Sequence, residues 1–328
     1  MAKYKPDRLS RRAMLSLLTT GATFTACSPR SNTSHRSFLM QSPWVNDAEF
    51  IGYFVALDRG LFKENGLDLV YQPGGPDIIA EGTLMSGRAD LALTPIETTI
   101  NLITRDHAPL QIIGAQYQKS PLGVVSLVKN NIRKPVDLVG KTLAVPAANV
   151  LTVEAMFKLN GIKKADVKIV PYQYDPTPLL RGDVDATIDF VTNVPFAIKQ
   201  AGGDPTWFLV YDFGFKVYND TVVVTKQTLQ KRRKDVIAWL RASRAGWAEN
   251  FKDTAAYPPK FIPSYFKGTG RTVQNEIYFN NAQKPLIQTS AGIFFMTEEG
   301  INDNIQSLEQ VGIKATRQMF DTDVMKEV

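Results

Sequence analysis

Aromatic and acidic side chains stand together in four segments that the hydrophobic pattern of the chain places in loops. The candidate ligand contacts in these segments are Trp44, Asp47, Glu49, Phe50, Tyr53, Gly75, Pro76, Asp77, Thr94, Glu97, Gln116 and Tyr117. A carboxylate can accept two parallel hydrogen bonds from an aminopyrimidine, and an aromatic face can stack on the flat ring. These residue types therefore predict non-covalent capture of a flat heterocycle that carries hydrogen-bond donors.

A small anion is the alternative ligand for such loops. Nitrate or a sulfonate is bound by arginine, by lysine or by free helix N-termini. The four segments offer Lys119 and little other positive charge. The sequence therefore favours a heterocycle of the pyrimidine or flavin type.

A second set of polar residues lies beside apolar runs in the later part of the chain. These residues are Asn149, Tyr174, Asp175, Asp189, Asn193, Tyr218 and Asn219. Because each lies next to a predicted strand or helix, we expect them at the rim of a cleft. Some positions have a structural alternative: Asp77 can cap a helix, and Phe50 can belong to the core. Tyr218 and Asn219 can form the corner of a hinge.

The elements that must position these residues alternate between short apolar runs and amphipathic stretches. This alternation predicts an α/β protein. One unit extends to about Leu127, a second begins at Pro135, and the chain then returns to the first. We predict that residues 38–127 and 224–328 form lobe 1 and that residues 128–223 form lobe 2. Two lobes joined by a two-strand hinge can close over a ligand.

Composition and charge exclude several classes of protein. The chain of 328 residues has a formal net charge of +6, of which +4 lies in the first twelve residues. The remainder has little net charge, so no nucleic-acid partner is predicted. Cys27 is the only cysteine, and His35 and His107 are the only histidines. We therefore expect no metal, no cofactor and no catalytic residue.

The N-terminal segment is typical of an export signal. Residues 1–12 are basic, and residues 14–26 form an uncharged, mildly apolar run that is too short to span a bilayer. Residues 10–15 resemble the twin-arginine pattern, and residues 24–27 resemble a lipobox. We predict a signal peptide over residues 1–27, lipidation of Cys27, and a polar tether over residues 28–37. The alternative is an ordinary signal that leaves a free cysteine.

Several motifs between Trp44 and Thr225 resemble the NMT1/THI5-like family. They are Phe-Ile-Gly-Tyr-Phe at 50–54, Gly-Gly-Pro-Asp at 74–77 and Gly-Arg-Ala-Asp at 87–90. The resemblance implies a type II periplasmic-binding-protein fold that captures a small molecule for an ABC importer. The implied partners are a permease and its ATPase, and the protein would be an exported, lipid-anchored monomer outside the cytoplasmic membrane. The Gly-Gly-Pro-Asp motif points to the branch that binds thiamin pyrimidine precursors or riboflavin.

Pyrimidine synthases resemble the same family and are the enzyme alternative. The resemblance implies that such an enzyme carries a cysteine cluster and an active histidine. Here Phe50 occupies the position where a histidine stands in many relatives, and no cysteine follows Cys27. We therefore predict a binding protein and no enzyme.

Overall fold

The computed structural model describes residues 36–328 with the exception of Pro76 and Gln173. The predicted signal peptide, Cys27 and most of the tether lie outside the described residues. In chain order the strands are β1 (Phe38–Gln41), β2 (Leu69–Gln72), β3 (Leu91–Thr94), β4 (Leu110–Tyr117), β5 (Leu122–Leu127), β6 (Thr142–Val145), β7 (Lys168–Pro171), β8 (Ala186–Phe190), β9 (Pro205–Leu209) and β10 (Asn219–Thr225).

Helices connect most of these strands and dominate the last third of the chain. The α-helices are α1 (Ile51–Asp58), α2 (Leu61–Glu64), α3 (Ala80–Met85), α4 (Ile96–Arg105), α5 (Val150–Leu159), α6 (Thr177–Arg181), α7 (Val194–Gln200), α8 (Lys226–Lys231), α9 (Arg233–Asn250), α10 (Pro258–Phe261), α11 (Val273–Ile287) and α12 (Glu298–Gln310). Single 3₁₀ turns lie at Ala48–Phe50, Val128–Asn130, Pro135–Leu138, Ala147–Asn149, Lys164–Asp166, Val210–Phe213, Arg317–Met319 and Val324–Glu327.

The strands form two mixed sheets, one in each lobe, and the predicted α/β fold class is confirmed. The first sheet has the order β2-β1-β3-β10-β4, and the second has the order β7-β6-β8-β5-β9. In the first sheet β10 runs antiparallel to both of its neighbours. In the second sheet β5 runs antiparallel to β8 and β9. The antiparallel strand of each sheet, β10 or β5, is therefore the first strand that the chain forms after it crosses from the other lobe.

The chain crosses between the lobes earlier than the sequence analysis predicted. β5 pairs with β8 and β9, so residues 122–127 belong to the second lobe. The whole of β10 pairs within the first sheet, so residues 219–223 belong to the first lobe. The crossings lie at 118–121 and 210–218. β5 is buried at every residue, and a strand buried on both faces has no alternation that would reveal its pairing partner.

Close packing of α1 against α9 fixes the loop that precedes α1. Gly52 of α1 faces Trp247 and Gly246 of α9, and a Cβ atom on either glycine would overlap the opposite helix. The ring of Trp247 is fully buried in this contact. Because interiors are packed to near-crystal density, this contact leaves the N-terminus of α1 little freedom.

Helix α11 begins beside the same loop. The Thr272 hydroxyl accepts a hydrogen bond from the Asn275 backbone N–H at 3.2 Å, which caps the helix. In the first turn of α11, Glu276 accepts a hydrogen bond from the Ala48 N–H at 2.5 Å. Two turns later, Gln283 donates to the Ala48 carbonyl at 2.6 Å. Within the described part of the chain, no helix is both long and apolar enough to cross a membrane.

Candidate functional site

A cavity of about 570 Å³ lies between the lobes. The loops after β1, β2 and β3 and the start of β10 line it from the first lobe, and the segments after β6, β7 and β8 line it from the second. Ligands of open α/β sheets bind at such strand ends. The predicted site residues that line the cavity are Trp44, Asp47, Glu49, Gly75, Glu97, Asn149, Tyr174, Asp189, Asn193, Tyr218 and Asn219.

Two predicted aromatic contacts, Phe50 and Tyr53, lie in the core and do not line the cavity. Both side chains are fully buried. The Tyr53 ring stacks on Trp239 of α9 with ring centroids 5.4 Å apart. The core interpretation of Phe50 therefore fits the structure, because the α1 residues near the loop face α9 rather than the cleft.

Three more predicted contacts, Thr94, Gln116 and Tyr117, are buried behind the cavity wall. Gln116 donates to the Glu49 carbonyl at 2.9 Å and to Asp220 Oδ2 at 3.0 Å. The Tyr117 hydroxyl donates to Gln283 at 2.7 Å. Thr94 forms hydroxyl hydrogen bonds within the first sheet and α4. These residues support the wall and do not reach the cavity.

Asp77 and Asp175 are exposed and also lie outside the cavity lining. The N-cap position of α3 is Ile79, and no side chain caps that helix, so Asp77 is not its cap. Asp175 Oδ1 accepts a hydrogen bond from the Thr177 N–H at 2.9 Å at the start of α6. The Thr177 side chain and, after it, this bond lower the pKa of Asp175, which indicates that Asp175 stabilises a local turn. Pro76 lies outside the described residues.

The first-lobe wall, which we define as Asp47, Glu49 and Asp220, is backed by a single guanidinium. Arg271 lies 2.6 Å from Asp47 Oδ2, and Asp47 is 1% exposed. Asp47 Oδ1 also accepts a hydrogen bond from the Glu49 N–H at 3.0 Å. Arg271 is 4.0 Å from Glu276. One partly buried cation therefore faces several buried carboxyl groups.

Burial, and after it the imbalance of charge, raises the pKa values of the first-lobe wall. Burial raises the pKa of Glu49 well above its ordinary value, and the neighbouring charges of Asp220 and Asp47 raise it further. Burial also raises the pKa of Asp220 to about 7. Desolvation raises the pKa of Glu276 to about 7, although Arg271 opposes the shift. A positively charged or donor-bearing ligand would relieve this excess of desolvated acid groups.

We define the second-lobe wall as Tyr174, Asp189 and Asn193. Its buried carboxyl group has fewer hydrogen bonds to the protein than Asp47 has in the first lobe. Asp189 Oδ1 accepts from the Phe190 N–H at 2.7 Å, whereas the buried Oδ2 atom has no hydrogen-bond partner within the described residues. Burial raises the pKa of Asp189 to about 7 against the lowering effects of the Phe190 N–H, the nearby Tyr172 hydroxyl and Arg271. Asp189 therefore has an acceptor free for a ligand.

Aromatic and amide contacts join the lobes on either side of the cavity. The rings of Trp44 and Tyr174 have centroids 4.6 Å apart. Tyr174 adopts a φ of 60°, which is uncommon for a non-glycine residue. Asn275 of α11 donates to Asn193 at 3.0 Å. These contacts show the two lobes in a closed arrangement around the cavity.

The sequence analysis missed several residues of this site. They are Arg271, Glu276 and Phe279 near or in α11, Asp220 at the start of β10, and Ile78 and Ile79 before α3. Arg271 lies 224 positions from Asp47 in sequence, and no local pattern signals such a pairing. Asp220 directly follows two predicted contacts, so its place beside an apolar strand could have identified it. Within the described residues, no group of His, Cys, Asp and Glu side chains suits a metal ion.

Comparison with solved structures identifies the fold. The periplasmic aliphatic sulphonate binding protein SsuA from Escherichia coli superposes with a TM-score of 0.64 at 14% identity, covering 89% of this chain and 97% of SsuA. The desulfurization enzyme DSZB superposes with a TM-score of 0.56 at 13% identity, covering 89% and 98%. At such identities the likeness concerns the fold alone. The predicted two-lobe type II periplasmic-binding-protein fold is confirmed.

Comparison of sequences identifies the family. A formylaminopyrimidine-binding protein from Halalkalibacterium halodurans is 26% identical over 211 residues, which are 62% of this chain. The alignment spans 63% of the length of that relative. The model of the family described as NMT1/THI5 like matches residues 47–256, which include the first-lobe loops, the whole second lobe and β10. The chain therefore belongs to the NMT1/THI5-like family, as its motifs predicted.

Proposed function

We propose that this protein is the solute-binding component of an ABC importer and that it binds a donor-bearing heterocycle of the aminopyrimidine type between its lobes. One observation carries the proposal: carboxylates and aromatic rings line the cavity, and among the described residues no lysine, arginine or histidine lines it. Such a surface accepts hydrogen bonds and stacks on flat rings. The similarity to the formylaminopyrimidine-binding protein of Halalkalibacterium halodurans supports the same class of ligand.

In the proposed complex the ring lies near Trp44 and Tyr174, and its exocyclic amino group faces Asp189. The free Oδ2 atom of Asp189 can accept one hydrogen bond that no described residue supplies. Hydrogen bonds to a charged acceptor contribute about 1.5–3 kcal/mol. A buried acceptor without a partner is costly, so the ligand would satisfy a group that the empty site leaves unpaired.

A sulfonate or nitrate is the second candidate ligand, because the fold is shared with a sulphonate binding protein. The chemistry of the cavity disfavours it. Lys119, the cation closest in sequence to the predicted loops, is paired with Asp212 at 2.5 Å and is absent from the lining. Arg271 is paired with Asp47 behind the wall. An anion would therefore face carboxylates without a cation to balance its charge.

Catalysis of the pyrimidine-synthase kind is the alternative from another functional class. That chemistry was expected to need a histidine near residue 50, and Phe50 there is buried in the core. His107 lies on an exposed loop outside the cavity lining. We therefore propose capture and release of an unchanged ligand. Incubation of a bound heterocycle with the protein should return the same compound, as measured by mass spectrometry.

Export and anchoring complete the proposal. The basic N-terminus, the apolar run over residues 14–26 and Cys27 support export and lipidation. In this arrangement the protein acts outside the cytoplasmic membrane as a monomer and delivers ligand to a permease and its ATPase. Metabolic labelling with a radioactive fatty acid should label the wild-type chain and leave a Cys27→Ala variant unlabelled.

A thermal-shift screen tests the ligand class. The panel contains aminopyrimidines, thiamin, riboflavin, taurine and nitrate, because a ligand that binds only the folded state raises the melting temperature. We expect a rise with a heterocycle and none with either anion. A rise with taurine or nitrate alone would leave solute binding intact and would refute the heterocycle.

A further inference from the structure

We propose that the cavity contains a second compartment, with Ile78, Ile79 and Leu151 as its walls and Glu97 at its floor, which binds a positively charged extension of the heterocycle. The inference rests on the proposed function and narrows its substrate class. The ligand would be an aminoheterocycle joined to a second, cationic ring or chain, and a lone ring would fill only part of the site.

The two acidic parts of the cavity lie on opposite faces of the first sheet. Leu91 and Leu93 of β3 pack with α1 and α9, whereas Ala92 between them packs with α3 and α4. Successive side chains of a strand point to opposite faces. Glu49 therefore stands on the α1 face, and Glu97, in the first turn of α4, stands on the other. A ligand that contacts both glutamates must therefore extend across the strand ends of the first sheet, from one face to the other.

The walls of the second compartment are apolar and exposed to solvent. Ile78 is 44% exposed, Ile79 is 72% exposed and Leu151 is 39% exposed, and all three line the cavity. The isoleucines precede α3 in the first lobe, and Leu151 begins α5 in the second. Apolar side chains at a cleft gain free energy when a ligand removes them from water. The position of these three predicts a ligand segment with an apolar body.

The floor of the compartment is acidic and has no cation beside it. Glu97 is 6% exposed and accepts a hydrogen bond from Thr152 of the second lobe at 2.8 Å. Glu81 is 4% exposed and accepts from the Thr98 and Thr99 hydroxyls. Within residues 36–328, apart from Pro76 and Gln173, no lysine, arginine or histidine lines the cavity, and burial raises the pKa of Glu97. A cationic group would supply the missing charge partner.

The size of the cavity agrees with an extended ligand. Pockets of about 300–1,000 Å³ enclose drug-sized molecules, and the volume here is about 570 Å³. A six-membered ring at Trp44 and Asp189 would leave the compartment at Ile79 and Glu97 empty of ligand.

Titration calorimetry of the full chain with two probes tests the inference. The probes are 4-aminopyrimidine, which represents the bare ring, and thiamin, which joins an aminopyrimidine to a cationic second ring. We expect thiamin to bind at least about 10-fold more tightly, because its cationic ring would lie beside the Glu97 carboxyl group and cover the apolar walls of the compartment. Ile79→Ser and Glu97→Gln should each reduce the ratio of the two affinities by at least about 5-fold.

Met85→Ser is the matched control, because Met85 is 50% exposed in α3 and does not line the cavity. This variant should keep the wild-type ratio. Equal affinity for both probes, or an unchanged ratio in both compartment variants, would refute the second compartment while leaving the heterocycle proposal standing. If neither probe bound, both proposals would be overturned. Melting curves of the unliganded variants verify that each is folded.

Discussion

The two walls of the cavity carry similar acidic groups but hold them in different ways. In the first lobe, Asp47 is bound to Arg271 at 2.6 Å, and Gln116 ties Asp220 to the Glu49 backbone. In the second lobe, Asp189 has one carboxylate oxygen with no partner in the described structure. Tyr174 is 37% exposed and contacts Trp44 across the cleft.

This difference separates residues that build the site from residues that are free to bind. In the first-lobe wall Asp47 is paired with Arg271 within the protein, so the loss of this pair should reduce stability. In the second-lobe wall the Oδ2 atom of Asp189 has no hydrogen-bond partner among the described residues, so changes there should reduce affinity for the ligand. The following substitutions test whether the two walls differ in this way.

The largest effect is expected for the ion pair behind the first-lobe wall. Arg271→Met leaves the carboxylate of Asp47 buried without its cation, and breaking a buried pair in this way costs about 3–5 kcal/mol. Urea denaturation should show a loss of that order in the free energy of unfolding. The exposed pair of Arg317 and Glu298 provides the control, since Arg317→Met should cost less than about 1 kcal/mol. Equal losses in the two variants would contradict a structural role for the Arg271 pair.

A smaller effect, on binding alone, is expected in the second-lobe wall. Asp189→Asn preserves shape and removes the charge of the free acceptor, so the affinity for the heterocycle should fall by roughly 10- to 100-fold. Because burial raises the pKa of Asp189 to about 7, the melting temperature without ligand should not fall. Asp175→Asn, at an exposed turn outside the cavity, should bind like the wild type. Retained affinity in Asp189→Asn would remove Asp189 from the ligand site.

The third effect depends on pH. Burial raises the pKa of Asp220 from 3.8 to about 7, so the folded protein holds a proton that the unfolded chain releases more easily. The stability from this proton is present below about pH 4 and is lost as pH rises through about 7. Asp220→Asn should therefore be more stable than the wild type at pH 8, by at least about 1.4 kcal/mol.

At pH 4 the same variant should differ little from the wild type, because Asp220 is then protonated in both states. Urea denaturation at both pH values measures the difference. The control is Asp166→Asn on the surface, which should show no such dependence. A variant of Asp220 that is less stable at pH 8 would mean that the buried carboxylate is charged and well paired.

The smallest effect is expected for an aromatic exchange at the mouth of the cavity. Stacking of a base on an aromatic side chain contributes about 1–3 kcal/mol when measured by alanine substitution. Trp44→Phe keeps a stacking face, so we expect a loss of less than about 1 kcal/mol, whereas Trp44→Ala should lose most of the contribution. Titration with one heterocycle compares them. Equal affinities of the alanine and phenylalanine variants would exclude stacking at Trp44.

The sequence predicted the fold and part of the site, and the reasons for the failures are physical. Loop residues such as Trp44 and Glu49 could be identified because they interrupt the apolar pattern next to strands. Phe50 was misplaced because the pattern of a short helix does not show which face meets α9. The boundary near Leu127 was misplaced because β5 is buried at every residue, so its sequence does not indicate which strands it pairs with. Arg271 was missed because its contact with Asp47 depends on tertiary structure alone.

We propose that the cavity binds a donor-bearing heterocycle and no small anion. Titration calorimetry of the full wild-type chain with thiamin, 4-aminopyrimidine and taurine distinguishes the two classes of ligand. We expect saturable binding of at least one aminopyrimidine, weakened in Asp189→Asn, and no heat of binding with taurine. Saturable binding of taurine with no response to either aminopyrimidine would contradict it.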